Sequence, residues 1–479
     1  MRHLICLFVL PAFLFLFSCG NAGTKKDSPV AVSESGVTSA EPAKPDTFKA
    51  GIVMKNIACR GDAAGSYALY LPLRMQKGRK YPVLFLFDAH ARGSLPLMKY
   101  KELADRYGVI LACSNNSKNG LDANAIIQIT TGFFQDVLAR VPADMQNLYT
   151  GGFSGGARVA IGIALQDNRV KGIIANSAGF DPRQEPLRKS VCFVGLVGNE
   201  DFNLAELKNT QVALNGSGNV NDLLIFNGKH DWAPLADMDK AFLLLTLEGI
   251  RSKRLERNDS ILNASYAVDE REAKKILKSK ADPLTRAAVC NLMNLYYREL
   301  KPVDTYRVML DQIHADPSYR QATSQEEEKA HAEQMLQDSY SRAFREKNMT
   351  WWNTEVTRLE GLNKTSKDKE KVSLNKRLLA YLSLVAYMNS NTALNQNALP
   401  EAEHFLALYR LVDPSNSEWA FLTARLRMLQ NDPQNAIANL DEAVKLGLND
   451  VDRVRTQKEF QTLLNDAKFN EVIARIKTE

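Results

Sequence analysis

Residues 147–158, NLYTGGFSGGAR, constrain the fold of this chain more than any other stretch. They contain Gly152-Phe153-Ser154-Gly155-Gly156, a G-x-S-x-G pentapeptide. The β-prone Leu148, Tyr149 and Thr150 precede it. An apolar helical run through Ala157, Val159, Ala160, Ile161, Ile163, Ala164 and Leu165 follows it. Such a chain climbs a strand, turns sharply at a serine in strained backbone geometry, and leaves along a helix. Small residues two before and two after the serine let strand and helix pack closely enough to present its Oγ. With glycine at about 7% of residues, the pentapeptide alone arises by chance in roughly one chain in six of this length. Its weight therefore depends on what surrounds it.

Over residues 48–250, strand-like and helix-like patterns alternate. This predicts a mainly parallel sheet with helices on both faces. SYALYL (66–71) reads as an early strand ending at Pro72. YPVLFLF (81–87) is a continuous apolar run suited to a buried central strand. VILAC (109–113) follows a helix over 99–106, and 125–141 is amphipathic at helical spacing. Beyond the serine turn, 173–175, 192–197 and 223–226 read as strands. A helix over 237–247 closes the pattern.

A serine on such a turn needs an acid and then a histidine later in the chain. Gly198-Asn199-Glu200-Asp201 follows the penultimate strand, and Asn227-Gly228-Lys229-His230-Asp231-Trp232 follows the last. This region holds two histidines, His90 and His230, and only His230 lies after the serine. Asp201 is the predicted acid, with Glu200 its rival. Asp201 could instead cap a helix starting near Leu204, as could Asn203. The predicted catalytic set is therefore Ser154, Asp201 and His230. A serine hydroxyl is a poor nucleophile until an imidazole takes its proton. The imidazole in turn needs a buried carboxylate to fix its tautomer and stabilise its charged form. Oxyanion stabilisation needs preorganised N–H donors. Gly155 is expected to supply one, and the 88–93 loop, lined by His90 and Ala91, the other. Trp232 is expected either to wall the substrate pocket or to pack its loop.

With these residues in place, 48–250 resembles a compact α/β-hydrolase of the esterase type. It is similar to polyhydroxybutyrate-depolymerase-like and feruloyl- or acetyl-esterase-like enzymes. The resemblance rests on Ser154, Asp201 and His230 in their motifs and covers less than half of the chain. It departs at Asp88-Ala89-His90-Ala91-Arg92, where many relatives carry His-Gly. It implies a serine hydrolase, most simply a carboxylic ester hydrolase, with no cofactor. No long insertion separates the core elements, so no large lid is expected.

The N-terminus reads as an address. Arg2 and His3 precede an apolar run over 4–17, too short to span a bilayer comfortably and fitting a signal-peptide core. The run ends in Leu16-Phe17-Ser18-Cys19, which resembles the lipobox of bacterial lipoproteins. The resemblance implies lipidation at Cys19, anchoring to a membrane, and a place in the bacterial cell envelope. The outer membrane is favoured, with the protein facing periplasm or cell surface. Residues 1–19 would be the signal and 20–47, rich in Gly, Ser, Thr, Ala, Pro and Lys, a flexible tether. Of six cysteines, Cys113 and Cys192 lie in apolar strand-like runs and read as buried small hydrophobes. No C-x-x-C or His/Cys cluster suggests a metal. The net charge of +6 is mixed along the chain, which gives a nucleic-acid reading no support.

From 251 to 479 the strand pattern stops and an all-α domain is expected. Ala281-Asp282-Pro283 recurs as Ala315-Asp316-Pro317, a step of 34, and Ala402 and Leu406 recur as Ala436 and Leu440 at the same step. Ala424 and Ala443 fit the small sites, and Pro414 a terminal proline, of a tetratricopeptide unit. Residues 401–447 resemble about one and a half such repeats, 265–345 a degenerate version, and 346–373, with Trp351 and Trp352, break the period. The two tryptophans read either as a carbohydrate platform or as buried packing.

The function expected is a lipid-anchored extracytoplasmic serine hydrolase acting on a small or polymeric ester, with repeats that bind a protein partner or the substrate. The alternatives are a scaffold lipoprotein working through its repeats and a serine peptidase.

Overall fold

The computed structural model describes residues 48–476; the lipobox with Cys19 and the 20–47 tether lie outside them. The first part alternates as β1 (Met54–Cys59), β2 (Asp62–Tyr70), β3 (Tyr81–Phe87), α1 (Ser94–Tyr107), β4 (Ile110–Ser114), α2 (Ala123–Arg140), β5 (Ala143–Phe153), α3 (Gly155–Gln166), β6 (Val170–Asn176), β7 (Cys192–Gly198), α4 (Leu204–Ser217), β8 (Asn221–Phe226) and α5 (Leu235–Arg251). The strands form an eight-stranded sheet in the order β1-β2-β4-β3-β5-β6-β7-β8. The β1–β2 and β2–β4 pairs are antiparallel; β3–β4, β5–β6, β6–β7 and β7–β8 are parallel. This mostly parallel sheet with helices fits the α/β-hydrolase arrangement.

Packing divides the chain after Asp144. In the part before that point, the continuous apolar run of β3 is buried at every position, as a strand covered on both faces must be. Phe85 stacks on Phe134 of α2 at 3.7 Å and meets Phe133 edge-on at 5.5 Å. Asp136, also on α2, accepts from the Arg60 amide at 3.0 Å, the Tyr67 hydroxyl at 2.8 Å and Arg140 at 2.7 Å. Burial opposes its charge, but these bonds outweigh burial and hold the carboxyl below its ordinary range. Strand β1 has no counterpart in the sequence reading. Its MKNIAC alternates poorly and buries only Ile57 and Cys59, as an edge strand can.

Strands β6 and β7 are the buried middle of the part after Asp144. Among the described residues no strand follows Phe226. Beyond α5 come α6 (Asp259–Lys278), α7 (Pro283–Tyr297), α8 (Asp304–Ala315), α9 (Pro317–Glu346), α10 (Met349–Thr365), α11 (Lys369–Asn395), α12 (Leu399–Val412), α13 (Ser417–Leu429), α14 (Pro433–Lys445), α15 (Val451–Thr456) and α16 (Ala467–Ala474). The two Ala-Asp-Pro triplets are matching helix starts. Asp282 caps α7 and Asp316 caps α9, each followed by proline in the first turn. The later step of 34 also has a physical basis. Ala402, Leu406, Ala436 and Leu440 are all buried. Arg425 bonds to Asn391, 34 residues before it, and to Glu459, 34 after. At 30 and 27 residues, α9 and α11 are much longer than α12–α14, at 13 or 14. Trp352 is fully buried in the helical core, and Trp351 packs edge-on to it at 4.9 Å, so this pair is packing and not a surface platform. Cys59, Cys113, Cys192 and Cys290 are all buried and unpaired to one another. No helix among the described residues is long and apolar enough to cross a membrane.

Candidate active site

Strand β5 delivers Ser154 and α3 begins immediately after it. Ser154 sits at φ 55°, ψ −121°, which an L-residue adopts only under strain. The turn is closed from several sides. The Ser154 amide donates to the Asn176 carbonyl at 2.8 Å. The buried Thr150 hydroxyl donates to the Ala160 carbonyl at 2.9 Å, tying strand to helix. A Cβ on Gly152 would stand 2.4 Å from the Gly156 backbone, so only glycine permits this approach. The pentapeptide thus does locally what its spacing implied.

Ser154, Asp201 and His230 come together. His230 Nε2 lies 3.0 Å from Ser154 Oγ, and its Nδ1 lies 2.9 and 3.0 Å from the two Asp201 oxygens. An imidazole so placed carries its proton on Nδ1, donates it to the carboxylate, and turns an acceptor nitrogen to the hydroxyl. Asp201 is 0% exposed, while the His230 side chain keeps 21%. Asp201 also accepts from the Asn203 amide at 2.9 Å. The histidine and the Asn203 amide therefore share one carboxylate, and α4 starts without a side-chain cap bond. Glu200, the rival acid, turns away to Lys376 at 2.6 Å.

Several residues that set this geometry were missed in the sequence. Phe202 stacks on the His230 ring at 4.3 Å, and Phe153 lies 4.8 Å from it. Asn176, at the end of β6 and fully buried, donates to the Asp231 carbonyl at 2.7 Å and accepts from the Ala233 amide at 2.8 Å. It clasps the histidine loop from below. Asn199 accepts from the Gly228 amide at 3.0 Å through its side chain. The available signal was a polar residue at the end of an otherwise apolar strand, a place where buried amides need partners.

The remaining expected residues divide. Gly155 opens α3, whose first amides have no acceptor within the helix. The 88–93 loop holds His90 and Ala91, the expected second source of oxyanion donors. The His90 amide donates to the Asp88 carboxylate at 2.8 Å and the Ala91 amide to the Asp88 carbonyl at 3.1 Å, so both are engaged within their own turn. Asp88 is fully buried and also holds Arg92 through Nε and Nη2, both at 2.9 Å. The nonstandard sequence is thus a self-closing turn organised by Asp88. Trp232 is 2% exposed, with its ring 5.8 Å from Phe153. It packs its loop against Phe153.

No family model matches the sequence, and no curated protein matches it. Among solved structures, the chain is similar to FphF, a fluorophosphonate-binding serine hydrolase of Staphylococcus aureus. The identity is 14% over 38% of this chain and 92% of that one, with a TM-score of 0.33. It is also similar to a ferulic acid esterase, at 19% identity over 38% of this chain and 91% of that one, TM-score 0.31. A third is the acylaminoacyl peptidase of Pyrococcus horikoshii, at 15% identity over 41% of this chain and 42% of that one, TM-score 0.31.

Proposed function

We propose that this chain is a lipid-anchored serine hydrolase that cleaves carboxylic esters through Ser154, His230 and Asp201. One observation carries the reading: a single imidazole bridges a strained serine hydroxyl at 3.0 Å and a fully buried carboxylate at 2.9 Å. In the forward step His230 Nε2 takes the proton as Oγ attacks the acyl carbon, and Asp201 stabilises the imidazolium formed. The Gly155 amide donates to the oxyanion. His230 then gives its proton to the departing alkoxide, leaving an acyl-serine. Water, deprotonated by the same nitrogen, releases the acid and restores the serine.

The anchor is Cys19, with residues 20–47 as the tether, and the helices from α6 onward serve as a repeat module that binds partner or substrate. The test begins with Ser154→Ala. Turnover of p-nitrophenyl acyl esters should fall about 10⁴-fold or more, with the fold intact. Turnover equal to wild type would refute the assignment. A parallel panel of peptide amides separates esterase from peptidase. Cys19→Ser should move the protein from the membrane to the soluble fraction.

A further inference from the structure

Helix α11 reaches the acid loop. Arg377 is buried, at 9% exposure, and donates through Nη1 to the Asn199 carbonyl at 2.8 Å. Its other two contacts go to Glu333 of α9, from Nε at 2.7 Å and from Nη2 at 2.5 Å. Glu333 is 6% exposed. The fork-to-fork pairing fixes the guanidinium plane and neutralises its charge. Of the N–H groups left over, one on Nη1 is aimed at a carbonyl two residues before Asp201.

Asn199 is where such a brace has most leverage. Its amide donates to the Phe226 carbonyl at 2.8 Å, and its side chain accepts from the Gly228 amide at 3.0 Å. The next residue, Glu200, returns a bond from its amide to the Gly228 carbonyl at 2.9 Å. A Cβ on Gly198 would stand 2.3 Å from that same carbonyl, so the acid loop and the histidine loop touch backbone to backbone. A shift at Asn199 therefore moves both ends of the Asp201–His230 pair. The neighbouring Lys376–Glu200 pair, with Lys376 42% exposed, is solvated and weak by comparison.

We infer that Arg377 is a positioning residue for this site: from α11, held by Glu333, it sets the Asn199 carbonyl and through it the approach of Asp201 to His230. The inference rests on the proposed hydrolase reading. It acts through geometry, because the Arg377–Glu333 pair is neutral as a unit.

Three variants separate positioning from plain stability. Arg377→Lys keeps the charge, but one ammonium cannot satisfy Glu333 on both oxygens and reach Asn199 as well. The double variant Glu333→Gln/Arg377→Gln removes the donor without leaving a buried charge. Glu333→Gln alone leaves Arg377 able to donate to Asn199. On p-nitrophenyl acetate, kcat should fall about 10- to 100-fold in the first two with KM within about twofold, since small misplacements of a reacting group cost on this scale. Glu333→Gln, which loosens the fork but keeps the donor to Asn199, should lose less kcat than the double variant. Amide exchange over 198–203 and 226–231 should quicken only in the variants that lack Arg377. A kcat that follows Tm across the set, or a double variant as active as wild type, would overturn the positioning role. A Ser154→Ala control distinguishes the two ideas. Turnover that survives it overturns the site itself; Ser154-dependent turnover indifferent to Arg377 overturns only the brace.

Discussion

The alternating α/β stretch and the helical stretch use polar side chains in opposite ways. From α6 onward, every described α-helix except α8 and α12 begins with an Asn or Asp whose side chain accepts from an early amide of that helix. Among α1–α5 only α2 does, through Asp122. Helix α3 is the extreme case. Its cap position is Ser154, which makes no side-chain cap bond and instead offers Oγ to His230. One region uses its polar groups to finish helices. The other leaves a helix start open and turns the same kind of group toward an imidazole, a departure from local rules of the sort expected at a functional site.

The comparison breaks most sharply if the unusual polar contacts of the first region prove dispensable. His230→Ala and Asp201→Asn should each lower kcat about 10⁴-fold. Asparagine keeps the shape of the acid but favours the wrong imidazole tautomer. Steady-state rates on a p-nitrophenyl ester, with circular dichroism for the fold, decide it. A loss below about tenfold in both would mean that the 2.9 Å contact between Asp201 and His230 is not catalytic.

The same contrast explains what the sequence made legible. That Ser154, Asp201 and His230 meet could be read because each lies just past a strand, in the order serine, acid, histidine. Helix starts at Asp282 and Asp316 could be read because a cap followed by proline is local chemistry. The invisible parts were those decided by packing between distant residues. Strand β1 could not be read because it buries only alternate fragments at an edge. Phe202 looked like any loop aromatic until it met His230 at 4.3 Å. Arg377, 178 residues from Asn199, had no local signal at all. The internal bonding of the 88–93 loop was hidden for a related reason. The buried Asp88 draws the amides of its own turn, and no spacing pattern reports where an amide points.

Glycines give the next test of the contrast. Gly198, ahead of the acid, leaves no room for a methyl group, whereas Gly361, inside α10, has nothing within 4 Å of its would-be Cβ. Gly198→Ala should destabilise by about 1–3 kcal/mol as overpacking does, and lower kcat with it. Gly361→Ala should stabilise by roughly 0.5–1 kcal/mol, because a helix interior with room for a methyl group prefers alanine. Urea titrations of both variants measure the difference. Equal and small effects would erase the distinction between a backbone shaped for a site and one shaped only for a helix.

The smallest effect sharpens the comparison most. Asp282 bonds the Thr285 amide at 3.0 Å and its hydroxyl at 2.7 Å, a full cap on α7. Asp282→Ala should cost about 1 kcal/mol. Ser154→Ala stands at the cap position of α3 but removes no cap bond, so its stability should match wild type within about 0.5 kcal/mol while its turnover collapses. Ser154→Gly should go further and raise Tm, since glycine accepts φ 55° without the strain that serine bears. Thermal unfolding of the three proteins side by side reads the sign of each change. If Ser154→Ala lost as much stability as Asp282→Ala, Ser154 would be serving as a helix cap like Asp282, and its strained turn would need no catalytic explanation.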